Sequence, residues 1–278
     1  MTSFSAPARR AGRLKRPFGT LYYEVTGDGP ALLFAHGLGG NHLSWWQQVA
    51  HFAPRYTCVA FAHRGFAPSE AIPDGPDAAD YAGDLAELIE HLGFGDVRLV
   101  GQSMGGWTVL EYALAHPHRV KALVMSATSG TLDRRACDRS GGLKYDGWLK
   151  DAEAKIADGL AKGIHPAMGA PAAERHAALH LLYRSIDEMA GNLDKEKVRA
   201  SLRRTATRTL AELGDFRVPT LMIAGGQDVV FPPFLASDIA ASLPCGEAKL
   251  LPQAGHSPYF EEAATFNGLV EAFLARQR

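Results

Sequence analysis

Short continuous apolar runs recur along the chain at Ala31-Leu32-Leu33-Phe34-Ala35, Tyr56 to Ala62, Val97-Arg98-Leu99-Val100, Val120 to Met125 and Leu221-Met222-Ile223-Ala224. Runs of this length, without alternation, are what strands buried on both faces require. The stretches between them carry helical spacing instead. From Tyr81 the apolar positions Leu85, Leu88, Ile89 and Leu92 fall on one helix face, and Gly93 ends it. His42 to Ala53, Trp107 to His116, Pro232 to Leu243 and Pro258 to Arg278 read as further helices. Thr20 to Val25 reads as a strand before the Gly27-Asp28-Gly29-Pro30 turn, and Ala248 to Leu251 as the last strand. Strands alternating with helices over short connections predict an α/β fold with a mostly parallel, doubly wound sheet.

The rhythm stops near Thr128 and resumes only at Val218. Trp148 to Ile156, Ala172 to Tyr183 and Lys195 to Leu213 are candidate helices in between, so residues 129–213 are expected to form a helical cap inserted into a core of residues 19–128 and 214–278. Residues 1–18 carry Arg9, Arg10, Arg13, Lys15 and Arg16 without an acidic residue and read as a basic, solvated tail.

Composition narrows the function classes. With 46% hydrophobic residues, 21% charged and a net charge of −1, the chain offers no global attraction to nucleic acid or an anionic membrane. No apolar run approaches a membrane span, and the first residues lack the apolar centre of a secretory signal, so a cytoplasmic location is expected. Cys58, Cys137 and Cys245 are widely spaced and suggest neither disulfides nor zinc, each reading as a small packed side chain. His176 and His180 stand four apart but lack a third ligand, so no metal and no cofactor is expected. The partner to look for is a small-molecule substrate; the oligomeric state is left open.

The chemistry centres on Gly101-Gln102-Ser103-Met104-Gly105, which follows an apolar strand and enters a helix. A serine on such a tight turn is exposed at the sheet edge, beside free N–H groups of a helix start. Asp228 and His256 also follow apolar strands, so a parallel sheet brings all three to one edge. Asp133, after the preceding core strand, is the alternative acid. The glycine-rich turn His36-Gly37-Leu38-Gly39-Gly40 nominates the Leu38 N–H as an oxyanion donor beside the Met104 N–H. Leu38 and Trp107 flank that position, Phe231 and Tyr259 closely follow the acid and the base, and Trp148 lies in the insertion; the four aromatic residues are the candidate substrate-binding set.

From Gly19 to the C-terminus, the cap excepted, the chain resembles the α/β-hydrolase family, through His36-Gly37, Gly101-Gln102-Ser103-Met104-Gly105-Gly106, Gly225-Gly226-Gln227-Asp228 and Gly255-His256. The resemblance implies a Ser103 nucleophile, a His256 general base and acid, an orienting Asp228, and hydrolysis of a carboxylic ester or lactone through an acyl-enzyme. One loop departs from the pattern: relatives often carry Asp-x-Arg-Gly after the strand preceding the elbow, and here His63-Arg64-Gly65 follows Ala62. Two other readings compete. Carbon–carbon hydrolysis of a vinylogous diketone uses the same residue set, although Ser257 stands where such relatives can carry Trp. A small-molecule receptor that retains the triad is the other.

Overall fold

The computed structural model describes residues 7–72 and 74–277. Eight strands form one sheet: β1 (Arg9–Arg16), β2 (Gly19–Thr26), β3 (Ala31–Ala35), β4 (Thr57–Phe61), β5 (Val97–Gln102), β6 (Val120–Ser126), β7 (Thr220–Gly225) and β8 (Gly246–Leu251), in the order β1-β2-β4-β3-β5-β6-β7-β8. β1 and β2 run antiparallel to their neighbours, and every pairing from β4 to β8 is parallel.

The central strands distribute alternate residues to two cores. Leu33, Leu99, Leu123 and Met222 face helices α2 (Tyr81–His91), α3 (Gly105–Ala115) and α9 (Pro233–Ala240). Their sequence neighbours Leu32, Val100, Val124 and Leu221 face the opposite side, against α1 (Trp46–Phe52) and the C-terminal helix. Covering both faces is why these strands read as unbroken apolar runs.

Between β6 and β7 lie α4 (Arg134–Cys137), α5 (Leu143–Ala161), α6 (Ala170–Arg175), α7 (Ala177–Glu188) and α8 (Lys195–Thr205). Helix α9 (Pro233–Ala240) follows β7, and α10 (Pro258–Glu261) with α11 (Ala263–Ala275) closes the chain. Both ends of the insertion belong to the main core, through Leu132 and Cys137 on one side and Leu213 on the other. Its stem is closed where Asp133 N–H donates to Arg208 O and Arg208 N–H to Thr131 O, each at 2.9 Å. Among the described residues no helix is long and apolar enough to cross a membrane.

Three sequence expectations are corrected. The basic tail of residues 1–18 is a strand from Arg9 onward, its first six residues lying outside the described range. An edge strand with only Leu14 turned inward needs no apolar alternation, and two of its charges have acidic partners: Arg9 with Glu24 at 2.6 Å, Arg16 with Asp84 at 2.9 Å. The expected helix over Ala172 to Tyr183 is broken at His176, which separates α6 from α7; His180 Nε2 accepts the His165 N–H at 3.1 Å. Cys245 is exposed rather than packed, unlike Cys58 and Cys137.

The loops that leave β3 and β4 are joined by two buried histidines. His36 Nδ1–H donates to Gly37 O at 2.8 Å, its Nε2 accepts the His63 N–H at 2.9 Å, and His63 Nε2 meets Thr108 Oγ1 at 2.8 Å. Burial pushes the His36 imidazole down to about 3, and burial with His36 alongside holds His63 well below its ordinary value. Folded values below the unfolded value of about 6.5 give stability that is complete above that pH and lost as pH falls toward 3. Each such proton steepens the loss by about 1.4 kcal/mol per pH unit. Urea unfolding from pH 7.5 to 5 is therefore expected to show a falling unfolding free energy, with a shallower fall in His63→Asn. Identical slopes would mean that His63 is not kept neutral by the fold.

Candidate active site

β5 ends at Gln102, α3 begins at Gly105, and Ser103 sits between them at φ +49°, a region that side-chain-bearing residues seldom occupy. The surroundings enforce it. Ser103 N–H donates to Ser126 O on β6 at 3.0 Å, so the turn is tied to the next strand. A Cβ on Gly101 would stand 2.6 Å from Gly105 O, and one on Gly105 would stand 2.1 Å from Ala35 O. Either would drive helix and sheet apart.

Three side chains from three strand ends then meet in series. Ser103 Oγ lies 2.9 Å from His256 Nε2, and His256 Nδ1 lies 2.8 Å from Asp228 Oδ2. The Asp228 side chain is 0% exposed and that of His256 5%. The second carboxylate oxygen, Oδ1, accepts the N–H groups of Val230 at 2.7 Å and Phe231 at 2.9 Å. With Oδ1 committed to two amides, only Oδ2 is left for the imidazole, which must present Nδ1–H to it. Nε2 is then the free lone pair facing Ser103, as removal of a hydroxyl proton requires. Asp133 is elsewhere, capping α4 by accepting the N–H groups of Arg135 and Ala136.

The turn after β3 passes directly against the elbow, since a Cβ on Gly37 would lie 3.1 Å from Ser103 Cβ. Gly37 O is fixed by His36 Nδ1–H and by Gly40 N–H. The N–H groups of Leu38 and Met104 have no acceptor among the described residues.

Supporting residues that sequence reasoning missed surround this series. Gln102 Nε2 donates to His256 O at 2.9 Å, and Arg134 Nη1 donates to Val230 O at 2.9 Å, bracing the acid loop. Glu261 accepts backbone N–H groups from Gly255 at 2.8 Å, Ser257 at 2.9 Å and Gly169 at 3.0 Å. Burial pushes its carboxyl up to about 7 against the pull of those three donors. Its position five residues after His256 is the only mark it leaves in the sequence.

The four aromatic residues nominated as substrate-binding divide differently from expectation. Trp107 is buried next to Met104, its indole N–H donating to Leu202 O at 3.2 Å, so it joins the elbow helix to α8. Phe231 is wholly buried in the main core under the Arg134 guanidinium. Tyr259 is wholly buried on the opposite face, its ring centroid 4.3 Å from that of Trp45 at a 35° tilt, and packed on Phe266. Large rings satisfy a core as readily as a pocket, and these two fill cores. Trp148 borders a cavity of about 660 Å³ with Ile156, Met168, Phe234 and the acid loop at Asp228, and neither Ser103 nor His256 lines that space. Over the elbow itself the insertion contributes Leu193, Val198 and Leu202, packed with Leu38, Met104 and Trp107. The period of four between Val198 and Leu202 was the available signal.

A family model described as alpha/beta hydrolase fold matches residues 30–263. The chain is 28% identical, over 92% of its length and 97% of the relative's, to a Mycobacterium tuberculosis protein named for non-heme bromoperoxidase (BpoC). It is likewise 28% identical, over 92% of its length and 96% of the relative's, to a Serratia proteamaculans protein named for carbamate hydrolysis (RutD). The solved structure of a thermophilic esterase from Thermogutta terrifontis superposes with a TM-score of 0.75 at 24% identity, covering 96% of this chain and 99% of that one.

The geometry around Asp228 makes a sharp test possible. Asp228→Asn can keep its oxygen on the Val230 and Phe231 amides only by turning its NH2 toward His256 Nδ1. The neutral imidazole is then expected to carry its proton on Nε2, and nitrogen-15 NMR of a histidine-labelled sample should report the exchange of tautomers. An unchanged tautomer would show that Asp228 does not set it.

Proposed function

The chain belongs to the alpha/beta hydrolase family, and from that premise we propose that it is a serine hydrolase of small, largely apolar carboxylic esters or lactones. The observation that carries this reading is the unbroken Ser103–His256–Asp228 hydrogen-bond series beside two unclaimed amide donors. His256 Nε2 takes the Ser103 proton as Oγ attacks the carbonyl carbon, and the oxygen of the tetrahedral intermediate is received by the Leu38 and Met104 N–H groups. In comparable sites the loss of one such donor is worth about 2.7–4 kcal/mol. The imidazolium then protonates the leaving group. Water, deprotonated by the same nitrogen, releases the acyl group. Asp228 stays ionised throughout, and its full burial lets it stabilise the imidazolium at low effective dielectric.

The chemistry asks for no cofactor, because nucleophile, base and electrostatic stabilisation all come from the chain. The relative named for carbamate hydrolysis supports adding a carbamate to the substrates tested, since its carbonyl is open to the same attack. We assign the inner wall of the acyl pocket to the partly buried Leu38 of the turn after β3 and Leu193 of the cap, which pack on the same apolar cluster as Met104.

Ser103→Ala is expected to abolish labelling by a fluorophosphonate and nearly all ester turnover with unchanged circular dichroism. Equal labelling of the variant would move the nucleophile elsewhere. A panel of p-nitrophenyl esters, lactones, a carbamate and a vinylogous diketone should show esters or lactones turned over fastest. A preference for the diketone would favour carbon–carbon hydrolysis, and ligand-dependent thermal shifts without turnover would favour a receptor.

Along an acetate-to-laurate series each buried methylene adds up to about 0.8 kcal/mol until the wall is met, so activity should rise and then fall. Leu193→Ala should move the optimum to longer chains, and Trp148→Ala should leave it in place. The reverse pattern would return the acyl chain to the cavity beside Asp228.

A further inference from the structure

Glu261 is 5% exposed, yet both of its carboxylate oxygens are engaged by backbone alone. Oε1 accepts Ser257 N–H, and Oε2 accepts Gly255 N–H and Gly169 N–H. Gly255 and Ser257 are the two residues flanking His256. Gly169 comes from the insertion, 92 residues away in sequence. The two backbones touch at this point: a Cβ on Gly255 would stand 2.1 Å from Gly169 N, and one on Gly169 would stand 2.9 Å from Gly255 N. The residues just before them, Met168 and Ala254, share one buried apolar cluster, and a buried carboxylate ordinarily carries a heavy desolvation penalty. Three amides converging on it are what make it tenable.

We propose that Glu261 is a positioning residue that clamps the peptide units on both sides of His256 to Gly169 of the cap, so that seating of the cap and placement of the imidazole are one structural event. The proposal rests on the hydrolytic reading of Ser103, His256 and Asp228 for its catalytic consequence, and on geometry alone for the clamp. A cap displaced at Gly169 withdraws one of the three donors that hold the carboxylate. The carboxylate in turn fixes the loop from which His256 reaches both Ser103 and Asp228. Turnover is thereby confined to the closed cap, where Leu193 and Val198 cover the elbow.

The clamp requires the ionised form, because a proton on either oxygen places a donor among donors. The titratable groups facing Glu261 are Asp228 from the loop after β7, Tyr183 from α7 and Tyr259 from α10. Burial and Asp228 push the carboxyl up to about 7, so acidification through neutrality releases the clamp.

Glu261→Gln tests this with little change of volume, since one amide must now face an NH2. Gly169→Ala tests it from the cap side through the crowding of Gly255 N. Hydrogen exchange on the full chain should show faster exchange in peptides covering residues 167–170 and 254–258 in both variants, with β5 and β6 unchanged. Fluorophosphonate titration gives the number of intact sites. Per titrated site, kcat should fall about 10²-fold, the effect of misplacing a reacting group by roughly 1 Å, while KM changes little. The acid limb of the wild-type pH–rate profile should carry two ionisations, and that of Glu261→Gln one.

Unchanged exchange at residues 167–170 in Glu261→Gln overturns the clamp. Faster exchange with wild-type kcat and an unchanged acid limb overturns the positioning role. Should the wild type neither label nor turn over any ester, the hydrolytic reading falls, and the exchange experiment still decides the clamp.

Discussion

The arrangement depends on one backbone constraint, a serine held at φ +49° between a buried strand and a helix. A conformation of this kind is disfavoured by about 1–3 kcal/mol and survives only where its surroundings leave no alternative. Here those surroundings are close backbone contacts. Gly101 and Gly105 permit approaches that any side chain would prevent, and the Ser103 amide is fastened to β6. Relaxing the turn would separate α3 from β3 and β5. The strain is therefore carried by the packing of the whole sheet, and its product is a hydroxyl raised at the sheet edge with an amide beside it.

Around that hydroxyl, charge is stabilised by amides more than by opposite charges. Asp228 is neutralised by two backbone N–H groups and an imidazole N–H, Glu261 by three backbone N–H groups. Amide dipoles hold an anion without a mobile counter-charge, and they keep it fixed in direction. That rigidity suits a site in which the imidazole must meet two partners at once.

The insertion meets the site from above at three places. Leu193, just before α8, and Val198 and Leu202 on it pack with Leu38, Met104 and Trp107 in one apolar cluster. At Gly169, the insertion meets the His256 loop through backbone. Helix α7 approaches as well, for a Cβ on Gly39 would lie 2.8 Å from the Tyr183 hydroxyl. The turn that offers the Leu38 amide is thus held between the sheet below and the insertion above.

The sequence by itself determined the parallel sheet, the elbow and the three residues that converge on it. Each of these is written in short-range features: unbroken apolar runs, helical spacing, glycines at a forced turn, and polar residues at strand ends. Strand β1 escaped because an edge strand with one inward residue carries no periodicity, and arginines partnered on β2 and α2 look like a tail when read alone. Phe231 and Tyr259 read as pocket residues because ring size records burial without recording where, and only the packed structure separates these two, which fill cores, from Trp148, which borders the cavity beside Asp228. Glu261 could not be read at all. Its meaning lies in a contact with Gly169 across 92 residues, and nothing local to either residue encodes that meeting.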